Sequence, residues 1–181
     1  EKLFHQDSIF IAGTTEEVIG LLQPIIPDKT KETILSIHTK CYSNQKQIPV
    51  KDLYKTLQNL SENGYLMSVA TNDLEKPSTN QLRNAKILKY FSTVLGADSG
   101  YGAKPEGSQL IELQRRKGLR SEEMLMVGDS THDILAAKNA GFRSVGVLTG
   151  VALRAELEVK ADYVCKDISC LLSLLKKTEF N

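Results

Sequence analysis

Three short stretches of this chain carry side chains whose types and spacing could do chemistry. In the first, an apolar run, Tyr65 to Ala70, stops at Thr71-Asn72, so a hydroxyl and nearby backbone amides stand where a strand would end. Such donors can hold an anionic oxygen, although a Thr-Asn turn making local hydrogen bonds explains them equally well. The second is Lys104-Pro105. A residue before proline is held extended, which fixes the ammonium near a sheet edge, where it could neutralise a phosphate; otherwise it is a solvated lysine. At 4 Å such a charge pair is worth about 4 kcal/mol at an effective dielectric of 20. The third is Gly128-Asp129-Ser130-Thr131-His132-Asp133, which follows the apolar run Met124 to Val127. Two acids at this spacing suit magnesium, which takes one or two carboxylates together with water and phosphate. Ser130 and Asp133 also make an S-x-x-D capping box that needs no metal.

These stretches need strands to deliver them. Residues 1 to about 47 read as helical: Thr14 or Thr15 can cap a helix bearing Val18, Ile19, Leu21 and Leu22, ended by Pro24 and Pro27. Asp28 is expected to open a second helix, with Ile34, Leu35, Ile37 and Cys41 at helical spacing. From Pro49 onward helices alternate with short apolar runs. Helices are expected over 51–63, 81–89, 108–117, 131–140 and 168–175, and strands over 65–70, 93–95, 124–127, 144–148 and 163–164. Gly64, Gly118 and Gly141 stand as C-terminal stops. This alternation predicts an α/β fold, a parallel sheet with helices on both faces. Ligands bind beyond the carboxyl ends of such strands, where Thr71, Lys104 and Asp129 all fall.

Composition narrows the function further. The 181 residues are 41% hydrophobic and 25% charged, with a formal net charge of +1, which gives no electrostatic case for nucleic acid or an anionic membrane. No apolar run reaches the ~18 to 20 residues of a spanning helix. Cys41, Cys165 and Cys170 are odd in number and lack metal-type spacing, so reduced thiols in a cytoplasmic protein are expected. His132 reads as a solvent-facing residue of a helix's first turn, and His5 and His38 have no partner pattern. Asp98 could lie near a metal or shape a turn. No Gly-Lys-Ser/Thr follows Gly96, Gly100 and Gly102, so these glycines do not form a P-loop.

The order of the three stretches resembles motifs two, three and four of the haloacid dehalogenase superfamily, most closely its bacterial phosphoglycolate phosphatase-like group. Thr71-Asn72 matches motif two, Lys104-Pro105 motif three, and Asp129 with Asp133 the acidic pair of motif four. The trailing Ala136-Ala137-Lys138-Asn139-Ala140-Gly141 is also similar to that family, and Asp7 to Thr14 resembles part of its helical cap. The resemblance implies a Rossmannoid core over 48–181 and a partial helical cap over 1–47. It implies a magnesium-dependent phosphatase acting on a small phosphorylated metabolite such as phosphoglycolate. Thr71, Asn72 and Lys104 would then bind substrate, with Thr71 and Lys104 serving catalysis and Asp129 and Asp133 serving Mg2+.

The resemblance departs in one place. The family's first motif, Asp-x-Asp-Gly-Thr, supplies its nucleophile and general acid from a leading strand, and this chain has no Asp-x-Asp. The 181 residues alone are therefore expected to be inactive, with the nucleophile on a preceding segment and the core lacking its first strand. The alternative is a catalytically inactive binding or regulatory module on the same scaffold. A phosphoacceptor receiver domain is disfavoured, because its acids precede its threonine and lysine.

Overall fold

The computed structural model describes residues 8–43 and 47–177. Asp7, His5 and the rest of residues 1–7, together with 44–46, fall in the expected helical region but lie outside the described residues.

The N-terminal region is helical, as its pattern predicts. A single turn, α1 (Ile9–Ala12), leads through Gly13 into α2 (Thr15–Leu22). Thr14 caps α2 by a reciprocal pair: its hydroxyl accepts from the Glu17 amide at 3.2 Å, and its own amide donates to the Glu17 carboxylate at 2.7 Å. The next helix, α3 (Lys31–Ser43), begins three residues later than Asp28 suggested. Thr30 is the residue that satisfies its open end, accepting from the Thr33 amide at 3.2 Å. Val18, Ile19 and Ile34 are the buried aliphatics that join these helices.

The α/β portion then runs in chain order through α4 (Leu53–Glu62), β1 (Met67–Ala70), α5 (Glu75–Asn84), β2 (Phe91–Leu95) and α6 (Ser108–Lys117). It continues through β3 (Leu125–Gly128), α7 (Thr131–Ala140), β4 (Arg143–Val147), α8 (Arg154–Glu158), β5 (Tyr163–Cys165) and α9 (Leu171–Lys177). Gly118 and Gly141 do take the left-handed conformation that closes α6 and α7. Two elements depart from the sequence pattern. α5 begins at Glu75, six residues before the expected start at Gln81; Pro77 sits in its first turn, where a missing amide removes no helical bond. α8 was not foreseen: five residues are too few for a periodic signal.

All strand pairs are parallel, but they form two sheets, β1-β2 and β3-β4-β5. Among the described residues β1 and β3 therefore each present an unpaired edge, and a cavity of about 390 Å³ lies between them. Its walls are mostly apolar: Met67 and Ala70 from β1, Leu125 and Val127 from β3, Leu110 and Phe142 behind one face, Leu60 and Leu171 behind the other. Two buried clusters flank the sheets. Leu60, Val145, Val147, Leu171 and Leu175 pack on one face, and Leu110, Ala136, Ala137 and Phe142 on the other. The period-2 alternation of β3 explains the division, since Leu125 and Val127 point to the first cluster while Met124 and Met126 point to the second.

The expectation of three reduced cysteines is corrected. Cys165 and Cys170 form a disulfide, while Cys41 is free and exposed. β5 and the 3-10 turn after it bring Cα atoms five residues apart to 6.3 Å, within reach of a bridge; an odd cysteine count gave no sign of this. The bridge removes the support that Cys165 and Cys170 lent to a cytoplasmic setting. Among the described residues, no helix is long and apolar enough to cross a membrane.

Candidate active site

At the carboxyl ends of β1 and β3 lies a second cavity, of about 220 Å³, lined by Thr71, Asn72, Lys104, Asp129 and Asp133 among others. The five residues singled out from the sequence thus share one pocket. β1 delivers Thr71, whose amide donates to the Leu95 carbonyl at 2.9 Å and so extends the pairing with β2 by one bond. β3 delivers Asp129, and the first turn of α7 delivers Asp133.

Lys104 reaches the pocket on the loop before α6, next to a cis Lys104–Pro105 bond. Asn72 fixes this loop. Its side-chain oxygen accepts from the Lys104 amide and its Nδ2 donates to the Lys104 carbonyl, both at 2.8 Å. The same Nδ2 donates to Ala12 O at 2.8 Å, which clasps α1 to the pocket. The Asn72 side chain is therefore committed to protein groups.

Asp133 is buried at 5% exposure and fully engaged. One carboxylate oxygen meets Lys104 Nζ at 2.6 Å. The other accepts from the Asp129 amide at 3.1 Å, the Ser130 amide at 3.0 Å and the Ser130 hydroxyl at 2.8 Å. The capping box foreseen from Ser130 and Asp133 is present as well, since the Asp133 amide donates back to Ser130 Oγ. Burial alone would raise the Asp133 acid, but Lys104 and the Ser130 donors outweigh it and hold it below its ordinary value. Asp129 is shifted the other way: burial first, then the neighbouring Asp133 charge, raises its carboxyl, with Lys104 opposing.

Two glycines make room for this arrangement. A Cβ on Gly128 would lie 2.2 Å from the Asp133 Cβ, and one on Gly150 would lie 2.5 Å from the Asp129 carboxyl carbon. Glycine is thus required at both positions by the close approach of a carboxylate, and Gly150 carried no signal in the sequence. Gln109 is a second residue that sequence reasoning missed. It is fully buried. Its Nε2 lies 3.2 Å from Thr71 O, 3.0 Å from Gly96 O and 3.0 Å from Gly102 O, tying together the three loops around the pocket. A polar residue on the inward face of α6 was the available clue.

Asp98, left open between metal and turn, accepts from the Glu75 amide at 2.8 Å and caps α5. His132 is half-buried and lines the pocket rather than facing open solvent. Among the described residues, no group of three or more His, Cys, Asp or Glu is arranged to hold a metal. The donor set nevertheless fits magnesium in its usual economy of one or two carboxylates. Asp129 offers a hard oxygen to the cavity, while Asp133, with both oxygens engaged, orients it from behind.

Comparison with known proteins identifies the family and the fold. Residues 6–147 match the family model of haloacid dehalogenase-like hydrolases. A pyrophosphatase PpaX from Halalkalibacterium halodurans is 27% identical over 154 residues, covering 82% of this chain and 71% of that protein. A phosphoglycolate phosphatase from Vibrio cholerae is 37% identical over 121 residues, covering 66% of this chain; the chain spans 54% of its length. Among solved structures, a predicted phosphoglycolate phosphatase from Haemophilus somnus superposes with a TM-score of 0.72 at 28% identity, covering 80% of this chain and 64% of that one.

Proposed function

The chain belongs to the haloacid dehalogenase-like hydrolases, and from that premise we propose that it is the greater part of a magnesium-dependent phosphatase for a small phosphomonoester. The observation that carries the reading is the convergence of Thr71, Lys104, Asp129 and Asp133 on one 220 Å³ cavity at the carboxyl ends of β1 and β3. Phosphoglycolate is the substrate class favoured, since relatives bearing that name are 36–38% identical to this chain. The fold partition proposed is a helical cap from residues 1–47 over an α/β core from 48–181.

In this reading an Asp-x-Asp-Gly-Thr strand, seated in the apolar slot between β1 and β3, brings its first aspartate to the pocket beside Lys104. That carboxylate attacks phosphorus and expels the alkoxide, which takes a proton from the second aspartate. Water then cleaves the aspartyl-phosphate, returning the carboxylate and releasing phosphate. Thr71 donates its hydroxyl to a phosphoryl oxygen, as do backbone amides at Asn72. Lys104 balances the charge of the phosphoryl group and the attacking carboxylate. Asp129 would hold magnesium, with Asp133 holding it through water or fixing Asp129. Magnesium held there would supply polarisation of a phosphoryl oxygen.

The test is to supply a strand ending in Asp-x-Asp-Gly-Thr, fused ahead of Glu1, and to measure hydrolysis of p-nitrophenyl phosphate with and without magnesium. Magnesium-dependent turnover that vanishes when the first aspartate becomes asparagine supports the enzyme. A folded fusion with no turnover on any phosphomonoester abandons it for the second reading, a binding module. The absence of any Asp-x-Asp from the 181 residues is what keeps that reading in view.

A further inference from the structure

Besides the Asn72–Ala12 bond, a second polar contact joins the N-terminal helices to the pocket and has no part in the chemistry above. Tyr42, in the last turn of α3, donates its hydroxyl to Asp73 Oδ2 at 2.8 Å. The same carboxylate oxygen also accepts from the Thr71 hydroxyl, at a marginal 3.4 Å. Asp73 follows Thr71 by two residues, and its amide donates to Thr71 Oγ1 at 3.1 Å, so the carboxylate cannot stray far from that hydroxyl.

Two donors therefore share one carboxylate oxygen, and the distances show which of them holds it more tightly. A 2.8 Å bond from a phenol to a carboxylate is strong, whereas 3.4 Å lies at the limit for O–H···O. The Tyr42 ring is set for this task. It stacks on His38 with centroids 5.7 Å apart, and its carbonyl accepts from Gln81 Nε2 at 3.3 Å across the gap between α3 and α5. Half-burial, followed by the Asp73 charge, raises the phenol above its ordinary value, so it remains a donor well into alkaline solution.

An anionic guest at Thr71 needs that hydroxyl's proton and is repelled by a nearby carboxylate. Resting on the phosphatase reading, we propose that Tyr42 is a positioning residue which, when α3 sits against the core, captures the Asp73 carboxylate and frees the Thr71 hydroxyl for a phosphoryl oxygen. Closure of the helical region is thereby read out at the anion pocket. When α3 swings away, Asp73 loses its phenol, turns to Thr71 and spoils the pocket for a phosphate. The ligand is gripped only under a docked α3.

Isothermal titration of the strand-completed protein with inorganic phosphate in the presence of magnesium tests this through three variants. Tyr42→Phe keeps the ring but not the donor, and it is expected to weaken phosphate binding about 2- to 10-fold, the range of one hydrogen bond. Asp73→Asn removes the competing charge and should bind phosphate at least as well as the parent chain. The double variant should match Asp73→Asn, because without the carboxylate there is nothing for the tyrosine to capture. A double variant as weak as Tyr42→Phe would overturn the proposal and leave Tyr42 as a simple tether for α3. Alkaline absorbance titration, read as the difference from Tyr42→Phe, reports the contact by itself: Asp73→Asn should bring the Tyr42 phenol down toward its ordinary value. If that shift occurs but no form binds phosphate, the phosphatase reading of the pocket has failed and this proposal falls with it. If phosphate binds but the phenol does not move, the Tyr42–Asp73 contact is absent and only the present proposal is lost.

Discussion

β1 and β3 border two cavities of opposite character. Along their flanks runs the 390 Å³ slot, walled by leucine, methionine, valine and phenylalanine. At their carboxyl ends opens the 220 Å³ pocket, where carboxylates, an ammonium and amides meet. The slot gathers what the hydrophobic effect drives together, and nothing in it requires a fixed orientation. The pocket gathers groups that cost free energy to bury, and several are held by named partners: Asn72 clasps the Lys104 loop, Gln109 ties three carbonyls, and Lys104 pairs with Asp133. Stability in one region is non-directional. In the other it is directional and depends on particular partners.

Substitutions can break this comparison. The largest loss is expected from Lys104→Ala, which leaves Asp133 buried and unpaired and should cost about 3 to 5 kcal/mol in urea denaturation. The same variant should change the acid limb. In the parent chain Asp133 is held below its ordinary value of 3.8; its stabilising contribution is complete above that value and is lost as pH falls through the lowered one. Without Lys104 burial dominates, the Asp133 acid rises, and the acid-side loss from this group should flatten or reverse. Parallel denaturation curves from pH 3 to 6 in both proteins would refute the pairing.

Leu110→Ala, on the wall of the slot, is expected to cost about 2 to 5 kcal/mol while leaving phosphate affinity unchanged. Calorimetry and phosphate titration on the same sample check both halves. Asp129→Asn should do the reverse. In the strand-completed protein it should lower magnesium-dependent hydrolysis about 100-fold or more, yet its thermal midpoint should hold or rise, because a buried charge beside Asp133 has gone. A lowered midpoint would move Asp129 from the functional to the structural side. Gln109→Leu should be the mildest, at about 1 to 3 kcal/mol for the carbonyls it leaves unsatisfied, with a measurable fall in phosphate affinity as the loops loosen.

Much of the molecule was legible in its sequence, for reasons that differ by residue. Leu125 and Val127 alternate with Met124 and Met126 because a strand has two faces. Gly118 and Gly141 end helices because they adopt a left-handed backbone without strain. Thr71, Lys104 and Asp129 could be placed together because parallel strands bring their carboxyl ends to a common rim. What escaped notice has equally physical causes. The start of α5 was displaced because Pro77 breaks helices in the middle but not in the first turn. Cys165 and Cys170 gave no motif, and their pairing depends on where β5 ends. Gln109 and Gly150 matter through neighbours distant in sequence, and no local pattern records those neighbours.

Local order, then, was determined by the sequence itself: propensity, capping and hydrophobic period act over a few residues and need no knowledge of the fold. Only the tertiary structure decided that the Asn72 side chain is a clasp, that Asp133 spends both oxygens on Lys104 and Ser130, and that Tyr42 reaches across 31 residues to Asp73. Each of these is a choice of hydrogen-bond partner at short range in space and long range in chain, and such choices exist only once the chain has closed upon itself.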